Sequence, residues 1–286
     1  MKAMYPTLRQ IVDAHAWKRD YEKYLPISRF LFRPIGFLLT WVAIRVGLTT
    51  EAVSWLSGVV GIAACLCLVS GYENMLPVGI GLLLFFNLLD CVDGSIARTM
   101  KTENPYGRFL DSICGGIIDL AFWSVIGIMA FRHPQYLYWP NPFGFNAIFW
   151  LATGGFTCFF YIWLGYMERT FDELLRPDWD RLQEAGRNGG ESIAAPEKVE
   201  PITSCPAIKD SRMLIRVINT NLRVRETHYI LLLISYWGAM VDFLLVCYFF
   251  YYVFYTGALM VIYSVRGTKI RDTLRTNQSN KFNNSQ

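Results

Sequence analysis

The chain has 286 residues, 53% hydrophobic and 16% aromatic, with only 17% charged. An ordinary soluble domain carries about 25% charged residues, so this composition excludes that class and favours spanning helices. The net charge of +4 is too mild for a nucleic-acid binder, which needs a basic stripe with interleaved aromatics.

In chain order, residues 1–30 mix Lys2, Arg9, Asp13, Lys18, Arg19, Asp20, Glu22 and Lys23 with aromatics. They do not read as a signal peptide. Arg33–Val46 is apolar but short and carries Arg45. It reads as a helix lying in the membrane interface, with Trp41 as its anchor. Six apolar runs follow, each near the roughly 20 residues that a spanning helix needs. The first covers about 52–70. The second runs from about 75 to 89 and continues as helix to Arg98. The third covers about 107–131, and the fourth about 145–167. The fifth and sixth share 222–265, split near Gly238–Asp242. The expected fold is all-α: a polytopic membrane helical bundle of six transmembrane helices with an N-terminal interfacial helix. In domain terms, 1–51 is a cytoplasmic segment, 52–266 the membrane domain with a cytoplasmic loop at about 169–221, and 267–286 a cytoplasmic tail. Within the loop, Gly186–Gly190 and Ala194–Glu197 read as flexible linker.

Charge sets the expected orientation. An even number of spans puts all but Arg132 of the 27 Lys and Arg residues on one side, and that side is the cytoplasm. The 7 cysteines contain no Cys-x-x-Cys pair and no accompanying His cluster. Neither zinc nor a disulfide framework is indicated.

The strongest chemical signal is Asp90-x-x-Asp93-Gly94-x-x-Ala97-Arg98, followed by Gly107-x-x-x-Asp111. Carboxylates at a membrane edge are costly and read as functional. Asp90 and Asp93 are i and i+3 and share a helix face. The short connection 99–106 makes the next helix an antiparallel neighbour, which brings Asp111 to the same end. Three carboxylates at close range repel unless a cation intervenes. Oxygen ligands suit a hard cation, Mg²⁺ or Mn²⁺. Gly94, Ala97 and Gly107 are small enough to let a bulky ligand reach the backbone, and Arg98 is a bidentate phosphate donor. Asp119 sits deeper in the third run. His228 reads as an interfacial residue, Asp242 as the outer turn of the last hairpin, and Tyr248–Tyr255 as lipid-facing packing. Gly154-Gly155 is a candidate for close helix approach.

These residues resemble the motif of the CDP-alcohol phosphatidyltransferases. The stretch Leu48-Thr49-Thr50-Glu51-Ala52-Val53-Ser54 is similar to the Leu-Thr-Pro-Asn-x-hydrophobic-Thr opening of that family's first span, with Thr50-Glu51 in place of Pro-Asn. The resemblance implies transfer of a phosphoalcohol group from a CDP-linked donor to a hydroxyl acceptor, with release of CMP. It implies Asp90, Asp93 and Asp111 as metal ligands, and Asp93, Gly94, Ala97, Arg98 and Gly107 as lining of the CDP site. It further implies a homodimer embedded among membrane lipids. The family pattern ends in a further Asp, both metal ligand and general base, where this chain has Gly115 followed by Gly116. The base is then Asp119 acting through water, Asp111, or the acceptor itself. Asp119 lies about 6 Å deeper along a helix than the missing carboxylate, by the rise per residue. Gly115 also leaves open a relative that binds CDP-alcohol and metal without turnover. A transporter, with polar groups spread through several spans, fits less well. The acceptor, and whether CDP carries the lipid or the polar alcohol, are not specified by these residues.

Overall fold

A computed structural model describes residues 5–16, 22–144, 148–187 and 211–283. Among them, all regular structure is helical and no strand occurs. The helices are α1 (Leu8–Ala14), α2 (Arg33–Val46, after a π-helical turn at Ser28–Phe32), α3 (Thr50–Val69), α4 (Met75–Met100) and α5 (Pro105–Arg132). They continue with α6 (Ile148–Leu174), α7 (Arg176–Arg187), α8 (Ser211–Arg223), α9 (Arg225–Trp237) and α10 (Val241–Asn283). Of the expected linkers, Gly186 and Arg187 belong to the helix Arg176–Arg187 instead, while 188–190 and Ala194–Glu197 lie outside the described residues.

Local chemistry sets the helix ends that matter for the site. The Ala52 N–H donates to the Thr49 hydroxyl at 3.2 Å, capping α3. Lys101 adopts a left-handed conformation (φ +54°) that stops α4, and the Thr102 N–H turns back to the Ala97 carbonyl at 2.9 Å. Pro105 opens α5, where its missing N–H costs nothing. Asn104 caps it by accepting the Gly107 N–H at 2.7 Å.

Five helices, α3, α4, α5, α6 and α10, are long and apolar enough to cross a membrane, so the chain is an integral membrane protein. The expected fifth span forms as α9, which has only 13 residues. At 1.5 Å per residue it reaches about 20 Å, short of a ~30 Å hydrocarbon core. It is short because Val224 takes an extended conformation (φ −83°, ψ 135°) that separates it from α8.

The chain divides into two compact units. The first comprises Met1–Gly154 and Pro201–Leu245. Its apolar centre includes Ile11 of α1, Ala43 and Ile44 of α2, Val53 of α3, and Leu89, Val92 and Ile96 of α4. The N-terminal segment is therefore built into this core. Glu22 holds it there, receiving Arg33 Nη2 and lying against His15 Nε2, both at 2.8 Å. On α2, the Arg45 guanidinium covers the Trp41 ring at 3.6 Å.

Helices α5 and α6 touch through glycine. A Cβ on Gly154 would lie 2.5 Å from the Gly127 Cα, whereas one on Gly155 would meet nothing within 4 Å. Asp242 is buried and accepts the backbone N–H groups of Tyr138 (3.2 Å) and Trp139 (2.8 Å). It pins the loop after α5 to the start of α10 and is more than a turn residue. His228 is likewise a core residue. It is buried, its Nε2 lies 2.8 Å from the Leu222 carbonyl, and its ring stacks on Phe122.

The second unit comprises Gly155–Glu200 and Val246–Gln286. Phe171 and Tyr263 stack at 4.1 Å, and Tyr161 meets Tyr252 edge-on at 5.3 Å. Tyr248 and Tyr252 are buried while Phe250 and Phe254 are exposed. The aromatic run thus serves two faces of one helix, and only one of them is available to lipid.

Candidate functional site

A cavity of about 180 Å³ opens where α3, α4 and α5 meet at their motif ends. Thr50 and Ser54 of α3 line it, with Asp93, Gly94, Ala97 and Arg98 of α4. The connection contributes Thr102, Glu103 and Asn104, and α5 contributes Gly107, Arg108 and Asp111. The cavity gathers every residue expected to line the nucleotide site and two of the three expected metal ligands.

Asp93 is the most enclosed of these groups, with 2% of its surface exposed. The Ser54 hydroxyl donates to its Oδ2 at 2.7 Å, and the Gly94 N–H donates to its Oδ1. Both hydrogen bonds favour a fixed carboxylate orientation. Ser54 carried a sequence signal, since it stands at the hydroxyl position of the opening motif, but its role became visible only in the fold. Glu51 accepts the Asn104 amide at 3.2 Å, which ties the start of α3 to the cap of α5.

Gly94 has a more specific role than general smallness. A Cβ there would lie 3.1 and 3.2 Å from the two terminal nitrogens of Arg98, so the guanidinium lies across this glycine. Arg98 Nε and the Thr50 hydroxyl, both in the lining, are buried without a partner. Buried polar atoms are rarely left unsatisfied. Both belong to residues that wall the same cavity, a polar setting suited to a phosphate-bearing ligand.

Asp90 and Asp119 do not line this cavity. Arg225, in the first turn of α9, reaches between them. Its Nη1 lies 3.0 Å from Asp90 Oδ1 and its Nε lies 3.4 Å from Asp119 Oδ1. Its guanidinium is 5.7 Å from the Phe86 ring centroid. Gly115 makes room for it, because a Cβ at 115 would stand 3.1 and 3.3 Å from its terminal nitrogens. Sequence reasoning missed Arg225. It lies far along the chain from the motif, among the basic residues counted only for orientation.

Residues 48–152 match the model of the CDP-alcohol phosphatidyltransferase family. The motif resemblance is therefore a family match over that stretch. It spans α3, α4, α5 and the beginning of α6, and Arg225 falls outside it. No curated protein and no solved structure matches the chain. The family consists of membrane transferases of phosphoalcohol groups and uses divalent metals.

The residues present fit such a metal in part. Asp93 and Asp111 share the cavity and supply the oxygen donors a hard cation prefers. Asp90, the third expected ligand, faces Arg225 instead. No group of three or more His, Cys, Asp or Glu side chains is arranged to hold an ion among the described residues.

Proposed function

We propose that the chain is a metal-dependent transferase that moves a phosphoalcohol group from a CDP-linked donor to a hydroxyl acceptor and releases CMP. In this reading it works at the cytoplasmic face of a membrane-embedded homodimer, in phospholipid or lipid-linked product synthesis. The observation that carries the reading is the convergence of Asp93, Gly94, Ala97, Arg98, Gly107 and Asp111 on one cavity.

The chain's own residues divide the work. Arg98, lying across Gly94, donates to the diphosphate. The N-terminus of α5, whose Gly107 N–H is already capped by Asn104, turns the positive end of a helix dipole toward the same charge. Asp93, held by Ser54, and Asp111 would hold Mg²⁺ or Mn²⁺, and such an ion would supply positive charge to offset that on the departing nucleotide phosphate. The acceptor oxygen forms the new bond to the transferred phosphorus. The bond from that phosphorus to the bridging oxygen of CMP breaks. Asp111, at the cavity wall, receives the acceptor proton. Asp119 lies outside the lining and against Arg225, which favours Asp111 over it for this role.

Purified protein in nanodiscs, given Mn²⁺ or Mg²⁺, CDP-diacylglycerol and pooled acceptor alcohols, is expected to release CMP. The release should need metal and disappear in Asp93→Asn. CDP-choline, CDP-ethanolamine and CDP-glycerol extend the test to polar donors. Gly115 favours one second reading, a relative that binds without turnover; metal-dependent CDP binding with no CMP from any donor would establish it. Absence of CDP binding would overturn both readings.

A further inference from the structure

We propose that Arg225 is a built-in cation of this site. Its guanidinium takes the space opened by Gly115, holds Asp90 and Asp119, and leaves the divalent ion to Asp93 and Asp111. The inference deepens the proposed function and rests on it for what the cavity binds. The pairing itself stands on geometry alone.

Four observations converge. First, Gly115 and Arg225 are complementary in shape. A Cβ at 115 already comes within 3.1 Å of Arg225 Nη1, so a carboxylate side chain there would take the guanidinium's place. Second, Asp90 on α4 and Asp119 on α5 both lie against the guanidinium, at 3.0 and 3.4 Å. Two carboxylates facing each other across two helices repel unless a cation sits between them. Third, Arg225 occupies the first turn of α9. A helix dipole disfavours positive charge there, so the carboxylates, rather than its own helix, hold it. Fourth, its Cζ lies 5.7 Å from the Phe86 ring centroid, within reach of a cation–π contact.

The physical consequence is permanence. An arginine stays charged at any accessible pH and does not exchange with solution as a divalent ion does. Asp90 is therefore a partner of Arg225 and not a metal ligand. Ion binding at Asp90 would require Arg225 to withdraw.

The test uses the full chain in nanodiscs. In EDTA, apparent melting temperatures are measured for the wild type, Asp90→Asn, Arg225→Gln, the double variant and Arg225→Lys. Each neutralising change is expected to lower the melting temperature by several degrees. The double variant should fall no further than the worse single one, and Arg225→Lys should recover part of the loss. Calorimetric titration with Mn²⁺ is then expected to show affinity little changed in Asp90→Asn but lowered at least ~10-fold in Asp93→Asn, the order of loss seen when a metal site is disturbed. Additive melting losses in EDTA would overturn the pairing. A ten-fold or greater loss of Mn²⁺ affinity in Asp90→Asn, or Mn²⁺ abolishing the coupling between Asp90 and Arg225, would overturn the division of the carboxylates, on the same ~10-fold scale. If the wild type binds no Mn²⁺, the metal part of the proposed function fails while the EDTA cycle still decides the pairing. Should Arg225→Gln not fold, Gly115→Ala replaces it. Its Cβ presses on the guanidinium, and its cost should shrink in the Asp90→Asn background; an unchanged cost counts against the pairing.

Discussion

The α4–α5 hairpin presents acids to two different surroundings. On one side Asp93 and Asp111 line an open cavity with Arg98, two unpartnered buried polar atoms and a capped helix start. On the other, Asp90 and Asp119 lie on the guanidinium of Arg225, beside a glycine that leaves it room. The four acids have the same chemistry and lie within one short stretch of sequence. Their neighbours differ: one pair lines the cavity, and the other lies against the guanidinium of Arg225. A carboxylate in a membrane protein is thus informative only together with what stands opposite it.

The largest effects should separate the two sides by activity. Asp93→Asn is expected to lower the CMP-release rate by at least ~10³-fold, since it removes a carboxylate assigned to the ion that neutralises the departing phosphate. Asp111→Asn should cost about 10²–10³-fold, in the range of a lost general base. Asp119→Asn should cost less than ~10-fold on the same scale. Equal losses for Asp111→Asn and Asp119→Asn would erase the comparison. One step smaller, Ser54→Ala removes the hydroxyl that orients Asp93. A hydrogen bond to a charged group contributes about 1.5 kcal/mol or somewhat more, or roughly ten-fold in rate, read as kcat in the same assay.

Stability should show the opposite preference. Arg225→Gln leaves two partly buried carboxylates facing each other. A fully buried pair broken on one side costs about 3–5 kcal/mol, and partial exposure here reduces that to about 1–3 kcal/mol. Thermal unfolding in nanodiscs measures it, and a variant as stable as wild type would remove the second half of the comparison. Smallest of all is an effect away from both sides. Burial pulls the His15 imidazole below its ordinary value, against the opposing pull of Glu22. A group depressed in the folded state adds stability above its unfolded value, near 6.5, and that stability is lost as pH falls through the folded value. The melting temperature should therefore drop slightly below about pH 6.5, and His15→Gln should flatten that part of the profile. A profile unchanged by His15→Gln would show that the drop arises elsewhere.

Much of the architecture was legible in residue order. The apolar runs became α3, α4, α5, α6 and α10, and the short run at Arg33–Val46 became α2 with the same bounds. The fifth expected span was not legible as it stands, because its length depends on one extended residue, Val224, that composition does not mark. The motif's small residues were readable as a ligand wall. Their particular uses were not: Gly94 under Arg98, or Gly115 beside Arg225, requires knowing which long side chain folds back over them. His228 and Asp242 were read as peripheral because polarity in an apolar run suggests an edge. The carbonyl beside His228 comes from Leu222 at the end of the preceding helix, and the two N–H groups on Asp242 come from more than 100 residues away.

By itself the sequence determined that this is a helical membrane protein, and it placed the motif at the neighbouring ends of two adjacent helices. Hydrophobic length and motif spacing are local properties, and each residue carries them wherever it goes. Tertiary structure alone decided how the acids are divided. Three residues of α-helix turn about 300°, so Asp90 and Asp93 point about 60° apart around one axis. That angle is narrow enough to count as one face in a sequence, yet wide enough for different helices to pack against its two edges. Ser54 of α3 came to one edge and Arg225 of α9 to the other. No local rule specifies which neighbour covers which edge, because it depends on contacts between residues 39 and 135 positions apart.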